Sequence, residues 1–378
     1  MKKLIIAPDS FKGTMTSQEV CALLAGAARR VFPEAETVCI PVADGGEGSA
    51  AAFLAAAGGR WVPMDCTGPN GRTVSAGYAL LPDGTAVVEL AAAAGFALAG
   101  PRDPEQTTTF GVGELLRTAA ERGAARIVAC LGGSATNDGG CGAAAACGVR
   151  FYGQDGSAFV PTGKTLGSIH RIDCSGLVPA LQRIPIVTMC DVDNPLCGPT
   201  GAAAVFGPQK GADPAMVERL DAGLAHLAEL WVRDCGTDTR ALPGGGAAGG
   251  MGAGMAVFFS SRLQKGIETV LDAAGFSEKL DGADLILTGE GRLDGQSLRG
   301  KVISGVAARA RGVPVVAVVG DVGEGAEGIY DLGVTAVFSI NRTAVPFETA
   351  RLRSRADLAA AAEDILRLCR ALEIRNSL

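Results

Sequence analysis

Two runs in the C-terminal third decide the architecture: Asp284-Leu285-Ile286-Leu287-Thr288, and Val313-Pro314-Val315-Val316-Ala317-Val318-Val319. Each is continuously apolar, where a half-exposed strand would alternate. Each therefore reads as a strand covered on both faces. Residues 301–311 between them have helical character, and a helix joining two such strands is the crossover of a parallel sheet. Working outward, 335–340 reads as a further strand and 356–372 as a helix. The same style returns at the start of the chain. Residues 4–7 form a short apolar strand, and Thr16 or Ser17 then caps a helix to Val31, with Thr16 and Glu19 at capping-box spacing. A strand over 37–42 follows, then an Ala-rich helix over 47–57 that stops at Gly58-Gly59.

The middle of the chain differs. Residues 61–90 read as β-hairpins, with turns at Gly68-Pro69-Asn70-Gly71 and Pro82-Asp83-Gly84. Beyond them come a helix (107–122), a strand (126–131), a Gly-rich loop (132–142) and a mixed region (151–182). A strand (184–190), a helix (214–234), a second Gly-rich stretch (243–254) and a helix (261–274) complete it. The expected fold is α/β. A doubly wound, Rossmann-like domain is formed by both chain ends, 1–62 and 257–378, with a mixed α/β domain inserted over 63–256. A length of 378 residues suits two domains.

Composition narrows the function. Lys and Arg total 34 against 40 Asp and Glu, a net charge of −6, which argues against a nucleic-acid or anionic-membrane binder. No stretch reaches the ~18 apolar residues of a membrane span. The apolar run after Met1-Lys2-Lys3 is too short for a signal peptide, so a cytoplasmic protein is expected. The 11 Cys are scattered without a CxxC pair and read as reduced structural residues. With only His170 and His226 in the chain, and no GxSxG, a Ser-His-Asp triad is not expected.

Five Gly-rich, acid-containing loops follow predicted strands, where open α/β sheets bind ligands. They are Asp9-Ser10-Phe11-Lys12-Gly13, Asp44-Gly45-Gly46-Glu47-Gly48, the loop from Gly132 to Gly140, Asp191-Val192-Asp193-Asn194-Pro195, and Gly289-Glu290-Gly291-Arg292. One such loop is an ordinary turn; five point to a shared ligand cleft. In the third, backbone N–H groups at Gly132 and Gly133 with the Ser134 and Thr136 hydroxyls suit a phosphate. The alternative is a tight turn capped by Asn137 or Asp138. Lys210, in Phe206-Gly207-Pro208-Gln209-Lys210-Gly211, is either a solvated lysine or one that reaches a phosphate. Residues 295–301 fit GxxxxGK but lack the following Ser or Thr of a true phosphate loop. Residues 244–249 fit GxGxxG, but Leu242-Pro243 is not a strand, so a flexible connection or a close backbone approach is the better reading. Asp9, Asp44, Glu47, Asp138, Asp191, Asp193, Glu290 and Asp294 all lie in or beside these loops. So many acids suit phosphoryl transfer with Mg²⁺ and ATP better than a neutral-sugar site.

At this point the chain resembles the bacterial glycerate kinase family. The strings are Ala7 to Gly13, Pro41 to Gly48, Gly132 to Gly142, Asp191 to Gly198, Phe206 to Ala212, Pro243 to Gly252, and Leu287 to Gly291 with Asp294, Gln296 and Ser297. The resemblance implies an ATP- and Mg²⁺-dependent kinase of the glycerate 2-kinase type, with two α/β domains and the active site in the interdomain cleft. It would phosphorylate D-glycerate, usually to 2-phosphoglycerate, in organic-acid, glyoxylate and sugar-acid catabolism. Small departures are Ser49 for a common Thr, Val302-Ile303-Ser304 without the usual Pro, and Gly for Ala within Pro243-Gly244-Gly245-Gly246.

A glycerate site needs a cation and a base: Lys12, beside Asp9 and Ser10 at a strand end, is the expected clamp for a carboxylate or the transferred phosphoryl, and Asp191, directly after a strand with Pro195 stiffening its loop, is the expected base facing the hydroxyl. Asp9, Ser10, Lys12, Glu290 and Arg292 are the expected substrate groups. Gly132, Gly133, Ser134, Thr136, Asn137 and Lys210 are the expected nucleotide groups. Asp44 and Glu47 are the Mg²⁺ candidates, and Asp44 and Asp191 are interchangeable at this level. Two competing readings are a nicotinamide-dependent dehydrogenase, disfavoured by the missing strand–GxGxxG–helix, and a non-catalytic sugar-acid binding module, which leaves the many acids unexplained.

Overall fold

Strand Lys3–Pro8 lies between Glu36–Cys39 and Leu285–Gly289 in a five-stranded sheet. Val315–Val319 and then Ala336–Ser339 extend it beyond Leu285–Gly289, and every pairing is parallel. This is a computed structural model describing residues 1–42, 45, 48–100, 102–295, 297–299 and 301–376. The continuous apolar runs are explained by burial on both faces. Leu4, Ile6, Leu285, Leu287, Val316 and Val318 pack with helices Ser17–Val31 and Phe347–Asn376. The alternate residues Ile5, Ile286, Val315, Ala317 and Val319 point the other way and are equally buried. The capping box is formed as spaced: Glu19 N–H donates to Thr16 Oγ1 at 3.2 Å and Thr16 N–H to Glu19 Oε2 at 2.8 Å.

The chain divides into two compact units. Residues 1–44, 51–58 and 265–378 form the unit just described, and 45–50 with 59–264 form the other. The second unit has a six-stranded mixed sheet in the order Arg262–Gln264, Ile186–Met189, Arg126–Cys130, Thr85–Glu89, Thr73–Leu80, Arg60–Thr67. The first four strands are parallel, and the last two join antiparallel as hairpins. A small antiparallel sheet of Arg150–Tyr152, Ala158–Phe159 and Arg171–Asp173 accounts for much of the mixed region. The whole is a mixed α/β fold with parallel sheets. Among the described residues no helix is long and apolar enough to cross a membrane.

Two expectations change. The helix expected over 261–274 is a strand, Arg262–Gln264, followed by a helix, Gly266–Ala273. Three residues are too few for a period of 2 to be told from 3.6. The strand exists because Val187, Thr188 and Met189, far back in the chain, supply its ladder. The Gly-rich stretch 243–254 contributes most of a helix, Ala247–Phe259, with Ala248, Gly249 and Gly250 at positive φ near its start. Seven glycines in this stretch, four of them within the helix, disfavour it by propensity. Burial of Met251, Met255, Phe258 and Phe259 outweighs that cost.

Helix Phe110–Glu121 shows how closely the second unit is assembled. A Cβ at Gly113 would stand 2.2 Å from the Ala143 carbonyl oxygen. Gly113→Ala should therefore cost about 1–3 kcal/mol of unfolding free energy, whereas Thr16→Ala, which removes only a cap, should cost about 1 kcal/mol. Urea unfolding of both variants checks the order, and equal costs would show that this contact yields freely.

Candidate functional site

In the first unit the strand register builds the site. Pro8 pairs with Gly289, so Asp9 and Glu290 are the next residues on two adjacent parallel strands. Asp9 N–H donates to Gly289 O at 2.8 Å, and Asp9 Oδ1 accepts from Ser10 N–H at 2.6 Å. Phe11 and Met15 exchange backbone hydrogen bonds, which turns the chain sharply and leaves Lys12 exposed at the tip. Gly291 lies against this turn, since a Cβ there would be 3.3 Å from Lys12 N. The structure thus brings Asp9, Ser10, Lys12, Glu290 and Arg292 to one end of one sheet. Arg292 is mostly exposed and faces Asp294 and Asp321, each at 3.9 Å.

Glu290 is the unusual member. Its side chain is buried, and Oε1 has no hydrogen-bond partner among the described residues. Burial pushes its carboxyl above the usual range, the Ser297 hydroxyl, Lys301 and Lys12 draw it back, and Asp294 adds to the rise. A buried acceptor without a donor is costly, and it is a ready seat for a substrate hydroxyl or a hard cation. Its carboxylate chemistry fits Mg²⁺, which takes one or two carboxylates and completes its shell with phosphates and water. Among the described residues no group of three or more His, Cys, Asp or Glu forms a metal cage. Asp44 and Glu47 lie outside the described residues.

In the second unit the loop 132–140 follows strand Arg126–Cys130, and Ser134, Thr136, Asn137 and Asp138 are all buried. Ser134 Oγ accepts from Thr136 N–H at 3.2 Å and contacts Thr136 Oγ1 at 3.1 Å. Asp138 accepts from Thr109 N–H and Oγ1, both at 2.8 Å, from Gly140 N–H at 3.1 Å and from Gly142 N–H at 3.2 Å. It serves as an internal anchor, which agrees with the capping alternative. Burial raises its carboxyl and these four bonds oppose the rise. Both polar atoms of the Asn137 side chain are buried without a partner.

Lys210 is not a solvated lysine. It is buried, and Nζ donates to Thr136 O at 2.6 Å. Burial lowers its pKa to about 7, with Asp138 pulling upward. Residues 244–250 make the close backbone approach: a Cβ at Gly249 would lie 2.1 Å from Thr136 O, and Gly139 N–H donates to Gly249 O. No strand leads into this segment. Asp191 is exposed two residues beyond strand Ile186–Met189, the parallel neighbour of Arg126–Cys130, and so sits at the same sheet end as the loop.

Sequence reasoning passed over three groups here. Glu89 ends strand Thr85–Glu89 and accepts from Ala50 N–H at 2.6 Å. An acid closing an apolar strand was the available signal. Thr107 Oγ1 donates to Ala135 O, and Thr109 holds Asp138. Neither threonine had a local signal, because their partners come from a loop some 30 residues later.

The Lys210 environment gives a pH signature. Between pH about 7 and its ordinary value of 10.5, the lysine is protonated in the unfolded chain and largely neutral in the fold. The unfolded state then binds more protons, so stability rises with pH through that window. Lys210→Met should flatten this rise in urea unfolding measured from pH 7 to 10. Equal slopes for both proteins would contradict the buried assignment.

Comparison with known proteins gives a consistent answer. Residues 4–370 match the model of the glycerate kinase family. The chain is 44% identical over 343 residues to the glycerate kinase of Haemophilus influenzae, covering 89% of this chain and 91% of that one. It is 43% identical over 343 residues to the glycerate 2-kinase of Escherichia coli, covering 89% and 90%. A crystal structure from Salmonella typhimurium LT2, assigned as a glycerate kinase 2, superposes with a TM-score of 0.88 at 41% identity, covering 98% and 99%. The chain belongs to the glycerate kinase family.

Proposed function

We propose that this chain transfers the γ-phosphoryl group of ATP to D-glycerate, with Mg²⁺, to give 2-phosphoglycerate. Membership of the family makes it a phosphotransferase. The observation that carries the reading is a match spanning 4–370 to a family whose Escherichia coli member is a glycerate 2-kinase. ATP as donor places the reaction in the cytoplasm.

Glycerate carries one carboxylate and two hydroxyls. In this proposal Lys12, exposed on its turn, takes the carboxylate or the transferred phosphoryl, and Asp9, Ser10 and Arg292 orient the acceptor. The unpartnered Glu290 Oε1 accepts from a substrate hydroxyl, which relieves the cost of burying it alone. Asp191 takes the proton of the attacking hydroxyl. Gly132, Gly133, Ser134, Thr136 and Asn137 receive the nucleotide, with the Asn137 amide gaining partners it otherwise lacks. Lys210 acts from beneath, by holding the Thr136 carbonyl. Asp44 and Glu47 hold Mg²⁺, which when bound offsets charge on the phosphates.

The reading is tested with purified protein, Mg-ATP and D-glycerate, following ADP release and the phosphoglycerate isomer together. The expected result is glycerate-dependent ADP release with 2-phosphoglycerate. Release of 3-phosphoglycerate would overturn the regiochemistry, and no glycerate-dependent release from folded protein would overturn the substrate. Asp191→Asn should lower kcat by about 10²–10⁴-fold with the fold intact; near-normal kcat would remove Asp191 as the base.

A further inference from the structure

Cys174 directly follows strand Arg171–Asp173, and Cys235 is the last residue of helix Pro214–Cys235. Their sulfurs lie 3.6 Å apart although 61 positions separate them in the chain. A disulfide needs about 2.05 Å, so the sulfurs have about 1.5 Å to close. The backbones on either side are already tied together. Asp234 Oδ2 accepts from Ile172 N–H at 2.8 Å, and Arg233 donates to His170 O. About two turns back from Arg233 on the same helix, His226 Nε2 meets Ile169 O at 2.8 Å. These bonds hold the thiols side by side.

Pairing separates these two cysteines from the others. Both are half-buried, as are Cys39, Cys190, Cys197 and Cys369, whereas Cys21, Cys66, Cys130, Cys141 and Cys147 are buried. The adjacent pair of Cys21 and Cys39 is therefore shielded on one side. Burial pushes Cys190 up to about 11 and Cys197 up to about 12, away from the thiolate, and raises Cys369 as well. Cys174 moves the opposite way through its contact with the Cys235 thiol, although burial, Asp173 and Asp234 oppose this. The thiolate is the reactive form, so Cys174 is the favoured nucleophile.

We infer that Cys174 and Cys235 are a redox modification site, a dithiol that closes to an intramolecular disulfide on exchange with a low-molecular-weight disulfide such as oxidised glutathione. The Cys174 thiolate attacks one sulfur of oxidised glutathione, forming a mixed disulfide and expelling one glutathione thiolate. Cys235, giving its proton to solvent, then attacks the Cys174 sulfur. The Cys174–Cys235 bond forms and the second glutathione leaves. Two protein thiols are oxidised, and one disulfide is reduced to two thiols. The bridge would tie the end of the long helix covalently to the three-stranded sheet. Leu224 and Leu227 of the same helix pack beneath Gly139 of the loop 132–140.

The experiment uses the folded full chain with oxidised glutathione, quenched by alkylation and mapped by peptide mass. The expected product is a Cys174–Cys235 cross-linked peptide, two hydrogens lighter than its reduced parts and reopened by dithiothreitol. Cys174→Ser and Cys235→Ser should each abolish it and leave the remaining cysteine alkylated or carrying one glutathione. Oxidised wild type, which needs no variant, should melt several degrees above reduced wild type, because the bridge closes a long loop. Stable glutathione adducts without the cross-link, a cross-link through other cysteines, or full alkylation of both residues after oxidation would each overturn the inference. So would an unchanged or lowered melting temperature of the bridged protein.

Discussion

One buried carboxylate organises the second unit. Asp138 has no access to water, and four donors from three places in the chain converge on it. Thr109 stands at the start of helix Phe110–Glu121, and Gly140 and Gly142 at the start of helix Cys141–Ala146. An ionised carboxylate is tolerated in the interior only when hydrogen-bonded and balanced by charge. The bonds meet the first need, and the electrostatic pull of Lys210, equally buried, bears on the second when the lysine is protonated. Lys210 also holds the Thr136 carbonyl, so the shape of the loop 132–140 depends on both buried groups.

The glycines make that convergence sterically possible. Gly249 lets the segment 244–250 lie directly on Thr136 and Asn137, and Gly142 leaves room for Thr108 and the Asp138 carboxylate. Their value here is the missing Cβ, and at Gly249 also the left-handed backbone that glycine adopts without strain. The loop is therefore built into the core from above and below. Its remaining unmet groups, the amide of Asn137 among them, stand out because nearly everything around them is satisfied.

The first unit rests on a different constraint. Strands 3–8 and 285–289 pair across some 280 residues of intervening chain, and their register alone sets Asp9 beside Glu290. A slip of one residue would exchange the two faces of each strand and move Asp9 out of step with Glu290, so the site geometry depends on this register. Asp9 N–H to Gly289 O continues the ladder into the two loops. The acidic groups are held by sheet geometry, and loop sequence matters less to where they stand.

The sequence by itself determined what depends on near neighbours and on long exact strings. The continuous apolar strands, the Thr16–Glu19 cap, the placement of acidic loops at strand ends and the likeness to the glycerate kinase family were all legible there. It also placed Lys210 near a phosphate-like loop without saying whether water reached it. Tertiary structure alone decided what depends on distant partners. Residues 262–264 became a strand because 187–189 offered a ladder. A glycine-rich stretch became helix because its Met and Phe side chains had a core to enter. Asp138 became an anchor and Lys210 a buried lysine of lowered pKa, since desolvation and hydrogen-bond pairing are properties of the packed interior. Period and propensity act over a few residues, whereas burial and hydrogen-bond satisfaction are settled only when the remote segments meet.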